Sequence, residues 1–196
     1  CINERKNQLH EVIRLSGMNI VINDVDRPLV IKVASISSAR MQVYFIDNED
    51  YFHRKSVYCD EKGEFFKDNG ERAIFFARGV LETVKKLRWA PDIIHCQGWI
   101  SHILPIYLKK GYIDDPIFSN SKVVLSVYDD TPATFPEDFK DRIAFGAVTG
   151  KDLEKLSEPT GINLAKMAAD YSDGIILGSA NVDEEIVRYC TESGLP

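Results

Sequence analysis

Three short apolar runs recur from residue 92 onwards: Asp92-Ile93-Ile94-His95-Cys96, Lys122-Val123-Val124-Leu125-Ser126-Val127-Tyr128 and Gly174-Ile175-Ile176-Leu177-Gly178. Runs this short with so few polar residues are what strands of a buried parallel sheet need. The segments between them carry a different period. From Glu71 to Arg88 apolar residues return at Ile74, Ala77, Leu81 and Val84, and Lys85, Lys86 and Arg88 close the last turn, where cations suit the negative end of the helix dipole. Pro91 helps to end that helix. Trp99 to Lys110 reads as a second helix, delayed or kinked by Pro105, and Gly161 to Tyr171 as a third. Asn181 with Glu184 forms a capping pair for a last helix through Tyr189. Strands alternating with helices in this order predict an α/β fold, Rossmann-like and doubly wound, with a mostly parallel sheet.

The beginning of the chain is patterned differently. Met18 to Ile22, Leu29 to Ala34 and Met41 to Ile46 read as antiparallel strands, with a turn-like Asn23 to Pro28 between the first two, so an antiparallel hairpin is expected near the N-terminus. Asp47 to Gly70 mixes Tyr51, Phe52, Tyr58, Phe65 and Phe66 with charges and two glycines. It reads as a long surface excursion whose rings either pin it to the domain or offer a stacking surface.

With 196 residues the chain can bury one substantial core, and a single domain is expected over 1–196. It opens on Cys1 and a polar stretch, Asn3 to Gln8, from which further natural sequence ahead of it is expected. The net charge of -6 is scattered, which argues against a nucleic-acid groove. No apolar run approaches membrane-spanning length, and no secretory signal is visible. The four cysteines, Cys1, Cys59, Cys96 and Cys190, lack metal-ligand spacing. Reduced thiols in the cytoplasm are the expectation, with neither metal nor cofactor. Asp114-Asp115 and Asp129-Asp130 precede a proline or a Thr-Pro and read as turn residues rather than a metal pair. His10, His53 and His102 form no visible triad with a serine or cysteine.

In such folds ligands collect at the carboxyl ends of the parallel strands. That singles out Gln97-Gly98-Trp99, Asp129-Asp130-Thr131-Pro132 and Ser179-Ala180-Asn181. The segment PDIIHCQGWISHILPIYLKK, from Pro91 to Lys110, resembles the strand, loop and helix in the first domain of bacterial glycogen synthases and plant starch synthases. There the loop reads like HxHDWHT; His95 and Trp99 match, while Gln97, Gly98 and Ile100 depart. MQVYFIDNEDYFHR and ERAIFFARGVLE precede it in the family's order. SKVVLSVYD follows in the place of a strand ending in a T-I-H-N-like loop, with Tyr128 for the histidine and Asp129 for the asparagine. Asn163-Leu164-Ala165-Lys166 resembles an N-x-L-K stretch, and the strand with Ser179 one ending in T-V-S.

The resemblance implies one half of a GT-B type glycosyltransferase. Such enzymes transfer glucose from ADP-glucose or UDP-glucose to an α-1,4-glucan, with retention and without a required metal. The family's K-x-G-G-L loop and its donor-binding second domain have no counterpart in this chain, so the sugar nucleotide is expected only with a donor domain supplied. What remains is the acceptor side, with an α-glucan as partner and His95, Gln97, Trp99, Tyr128, Asp129 and Asn163 as candidate binding residues. Trp99 can stack on a sugar ring or pack the core, and Asn163 can contact glucose or cap a helix. No catalytic residue is assigned. The alternative is a non-catalytic glucan-binding or scaffold protein derived from that domain. A sheet edge left open also makes a homo-oligomer an expectation.

Overall fold

The computed structural model describes residues 11–196, with side chains from residue 15. Cys1, the polar stretch from Asn3 to Gln8 and His10 lie outside the described residues. The chain divides into two compact units, Cys1–Asn69 and Gly70–Pro196.

In the first unit β1 (Glu11–Ile22), β2 (Val25–Ile36) and β3 (Met41–Asp47) form an antiparallel sheet in the order β1-β2-β3. Only Asn23 and Asp24, both at positive φ, separate Ile22 from its partner Val25. Two consecutive left-handed residues make a tight turn whose twist suits a hairpin, and Asn and Asp tolerate that conformation. The turn expected to reach Pro28 is therefore shorter, and Pro28 lies inside β2 opposite Asn19. The strand tolerates a proline there because β3 pairs only from Val30 onwards, and the Pro28 carbonyl is taken by the Asn48 side-chain amide at 2.9 Å. Ile20, Ile22, Leu29, Ile31 and Val33 are buried.

Asn48 also accepts the Tyr51 N–H, capping the short α1 (Glu49–Phe52) and seating the buried Tyr51 ring. Further along the excursion Arg54 pairs with Asp68 and lies 4.7 Å over the Phe66 ring. Asn69 donates to the Tyr58 carbonyl at 2.7 Å. Burial of Tyr51 and the Arg54 contact of Phe66 give these two rings a pinning role.

The second unit begins with α2 (Asn69–Leu87). It ends where Arg88 turns left-handed: the Trp89 N–H reaches the Val84 carbonyl and the Arg88 N–H the Lys85 carbonyl. This is a Schellman closure built on a residue other than glycine. Strands β4 (Ile93–Gln97), β5 (Lys122–Val127) and β6 (Gly174–Leu177) are parallel and lie in chain order. The register puts Cys96, Val123, Leu125 and Val127 on one face of this sheet. Cys96, Val123, Leu125 and Val127 of that face are buried, while Ile93 and Ile176 of the other remain 64% and 46% exposed.

The mixed α/β class, the parallel sheet and the antiparallel N-terminal sheet are those expected.

Between β4 and β5 the expected helix from Trp99 is broken. A 3-10 turn (Trp99–Ser101) precedes α3 (Leu104–Ile106), which runs into a π turn (Tyr107–Gly111). Pro105 lies in the first turn of α3, where its missing N–H costs nothing. Between β5 and β6 come α4 (Phe139–Ile143) and α5 (Gly161–Asp170). Thr160 caps α5 by accepting the Asn163 N–H at 3.1 Å. The last helix, α6 (Glu184–Glu192), is capped by Asp183 rather than by Asn181. The aspartate stands one residue before the helix, where its carboxylate reaches the Glu185 N–H.

Candidate functional site

The carboxyl ends of β4, β5 and β6 bring three loops together, and the middle one is held by glycines of its neighbours. A Cβ built on Gly178, after β6, would lie 2.5 Å from Cε1 of Tyr128. One on Gly98, after β4, would lie 2.8 Å from Oδ2 of Asp130, and one on Gly161, at the start of α5, 2.1 Å from the Pro132 carbonyl oxygen. The Tyr128–Pro132 segment is thus seated in three places where a side chain is missing. A loop close-packed on three sides cannot shift without a neighbour moving.

Asp130 ties the first two loops together. Its Oδ2 accepts the Trp99 N–H at 3.2 Å, while Gly98, at φ 74°, makes the turn that aims that N–H. The Gly98 carbonyl in turn takes the Ser101 N–H and hydroxyl at 3.1 and 2.8 Å. Burial pushes the Asp130 carboxyl up from its ordinary pKa and the charge of Asp129 adds to the rise, against the Trp99 N–H, which holds it down. Thr131 Oγ1 is buried without a hydrogen-bond partner among the described residues.

His95 and Gln97 alternate along β4 onto the open face of the sheet. His95 Nε2 lies 2.7 Å from Ser126 Oγ on β5, and Gln97 Nε2 lies 3.3 Å from His95 Nδ1. With the amide nitrogen donating to Nδ1, the imidazole donates from Nε2 to Ser126, whose own proton stays available.

Of the residues singled out from the sequence, Gln97, Tyr128 and Asp129 lie at these loops, and His95 stands two positions before the end of β4, side by side with Gln97 through the imidazole. Trp99 is different. Its ring is 1% exposed and packs at 5.8 Å on Phe135, which stacks at 4.3 Å on Phe139. A ring so enclosed cannot stack on a sugar; the backbone of Trp99, not its indole, belongs to the loop cluster. Asn163 uses its side chain locally, donating to the Glu158 carbonyl at 3.0 Å.

From the sequence Asp130 reads only as a turn residue of its loop, and Gly161 and Gly178 carry no sign of a role at the site. A glycine at an element boundary signals a turn, and nothing in its neighbours says which distant side chain fills its space.

One further histidine lies close by in the chain. His102 is fully buried with neither ring nitrogen partnered among the described residues, and burial pushes its pKa down to about 4, so it is neutral at pH 7. Burial pushes the Cys96 thiol up to about 12, and it is inert as a nucleophile at neutral pH. Among the described residues no group of His, Cys, Asp and Glu is arranged to hold a metal, and no helix is long and apolar enough to cross a membrane.

The family model of the starch synthase catalytic domain matches residues 1–195. Glycogen synthases from Chlorobium limicola and Chlorobium luteolum are 44% and 41% identical over 128 residues, 65% of this chain. The aligned part is 26% of each relative, so the chain spans about a quarter of the length of these proteins. The catalytic domain of starch synthase IV from Arabidopsis thaliana, bound to ADP and acarbose, superimposes with a TM-score of 0.60 at 15% identity. The match covers 83% of this chain and 33% of that one, and it shows a shared fold. A family match that runs through both units and through every loop of the cluster settles the assignment: the chain belongs to the starch synthase catalytic domain family.

Proposed function

We propose that the loop cluster at the ends of β4, β5 and β6 binds the end of an α-1,4-glucan, and that the full-length protein transfers glucose to it from ADP-glucose or UDP-glucose. The observation that carries this reading is the seating of polar loops on three glycine contacts, in a chain of the starch synthase catalytic domain family. Gln97, Asp129 and Asp130, with the imidazole of His95 beside them, offer amide, carboxylate and ring nitrogen groups that suit sugar hydroxyls. A rigid frame orients them without an ordering cost on binding. The three loop segments contain neither Lys nor Arg. Charge developing on a departing nucleoside diphosphate needs fixed donors and cations, so this reading assigns the sugar nucleotide to another part of the full-length protein. Free thiols at Cys59, Cys96 and Cys190 support a reducing compartment such as the cytoplasm.

Incorporation of labelled glucose from ADP-glucose and UDP-glucose into glycogen by the full-length protein, run beside glycogen co-sedimentation, tests the reading. Incorporation supports it. Binding without incorporation moves the protein to the non-catalytic glucan-binding reading, and absence of both overturns the proposal.

A further inference from the structure

Asp130 stands out among the loop residues because its side chain meets a neighbouring loop by both a hydrogen bond and close packing. Its Oδ2 accepts the Trp99 N–H and also fills the space over Gly98, 2.8 Å from where a Cβ would sit. The two contacts bracket the peptide between residues 98 and 99, so the carboxylate defines both where that peptide lies and which way its N–H points. Gln97 directly precedes it, at the last position of β4. The far side of the turn is fixed as well, since the Trp99 ring is locked against Phe135 and the Gly98 carbonyl by Ser101. Asp130 is therefore the support that the loop after β5 contributes to this turn.

We propose that Asp130 is a positioning residue, whose carboxylate, anchored on the Trp99 N–H and seated over Gly98, sets the turn that presents Gln97 to the glucan. The proposal rests on the glucan reading for its ligand, and on geometry alone for the clamp. Asp129, adjacent in sequence, has no such contact with the first loop among the interactions described. A turn held only for stability would serve as well with its Gln97 side chain displaced; a turn held for binding would not.

The test uses three substitutions in the full-length protein, read by residue-resolved amide exchange and by the affinity for glycogen. Asp130→Asn keeps an oxygen that accepts the Trp99 N–H, Asp130→Ala removes it, and Gly98→Ala drives a methyl group against the carboxylate. Exchange at Trp99 is compared with Leu164, whose N–H bonds to the Thr160 carbonyl inside α5 and reports on global stability. The expected result is that Asp130→Ala and Gly98→Ala speed Trp99 exchange about tenfold relative to Leu164 and weaken glycogen binding by about five- to tenfold, the worth of one hydrogen bond. Asp130→Asn restores both. Gly98→Ala also strains a backbone at φ 74°, a cost that Asp130→Ala does not relieve, so the double variant falls short of the sum only by the shared clash with the carboxylate.

Unchanged Trp99 exchange in Asp130→Ala overturns the clamp. Faster exchange with glycogen affinity intact overturns the positioning role, leaving a structural contact. A wild-type protein that binds no glycogen overturns the ligand, and is told apart from a failed clamp by the exchange data, which need no ligand.

Discussion

The ring of Tyr128 occupies the place that a side chain at position 178 would take: Cε1, Cζ and Cδ1 lie 2.5, 2.7 and 2.9 Å from the Cβ position of Gly178. The end of β5 and the end of β6 are registered to each other by this absence. Gly178→Ala is expected to destabilise the protein by about 1–3 kcal/mol through overpacking. In a Tyr128→Ala background the same substitution should cost little, because the ring is gone. Chemical denaturation of the four proteins of the cycle measures the coupling, and an additive result would show that the ring yields freely.

His102 makes stability depend on acidity. Its folded pKa of about 4 lies below the ordinary value of 6.5, so between these values the unfolded chain binds more protons than the native one. Stability is then fully present above about pH 6.5 and is lost as pH falls towards 4, by on the order of 3 kcal/mol for this group. His102→Leu should remove that part of the acid slope. Unfolding free energies measured from pH 7 to 4 would show the same slope in both proteins if the imidazole were not responsible.

Asp130 acts in the opposite sense. A carboxyl whose pKa is raised in the native state binds a proton there before the unfolded chain does, so stability falls as pH rises through the window just above the ordinary carboxylate value. Asp130→Asn is expected to raise the melting temperature at pH 7 and to leave it nearly unchanged at pH 3. A lowered melting temperature at pH 7 would show that the charge itself strengthens the bond to Trp99 by more than its burial costs.

Arg88 closes α2 at φ 52°, in a conformation that suits glycine. The residue is exposed, and Arg88→Gly is expected to stabilise by about 0.5–1 kcal/mol by relieving left-handed strain, as a Schellman closure favours. A shift of the urea midpoint to higher concentration, at unchanged slope, is the expected signature.

The His95 ring should carry a proton on Nε2, donating to Ser126, with Nδ1 receiving the Gln97 amide. Nitrogen chemical shifts of the imidazole read the tautomer directly. Ser126→Ala should move the balance towards the other form, whereas a proton on Nδ1 in the wild type would mean that Gln97 presents its oxygen instead.

Much of the architecture was legible in the residues. Apolar runs at 93–97, 122–127 and 174–177 mark the strands because a buried strand leaves few places for polar side chains, and the spacing of Ile74, Ala77, Leu81 and Val84 marks α2 for the same reason. The break after Trp99 was partly visible in Pro105, while its 3-10 and π turns were not, because the choice among helical hydrogen-bond patterns depends on what the turn packs against. The cap of α6 was misplaced by two residues, since Asn181 and Asp183 are equally good capping residues and only the path of the chain after β6 decides between them.

By itself, then, the order of residues determined the α/β class, the antiparallel start, the family resemblance and the three loops at the strand ends, all of which depend on local periodicity and on motifs contiguous in the chain. Only the tertiary structure decided what those loops are made of. It turned Trp99 inwards, brought Asp130 onto Gly98 from a distance of over thirty residues, and seated Tyr128 on Gly178 from the far side of a crossover. Such contacts are set by which surfaces close packing leaves open. An empty space at a glycine has no imprint on the residues that come to fill it.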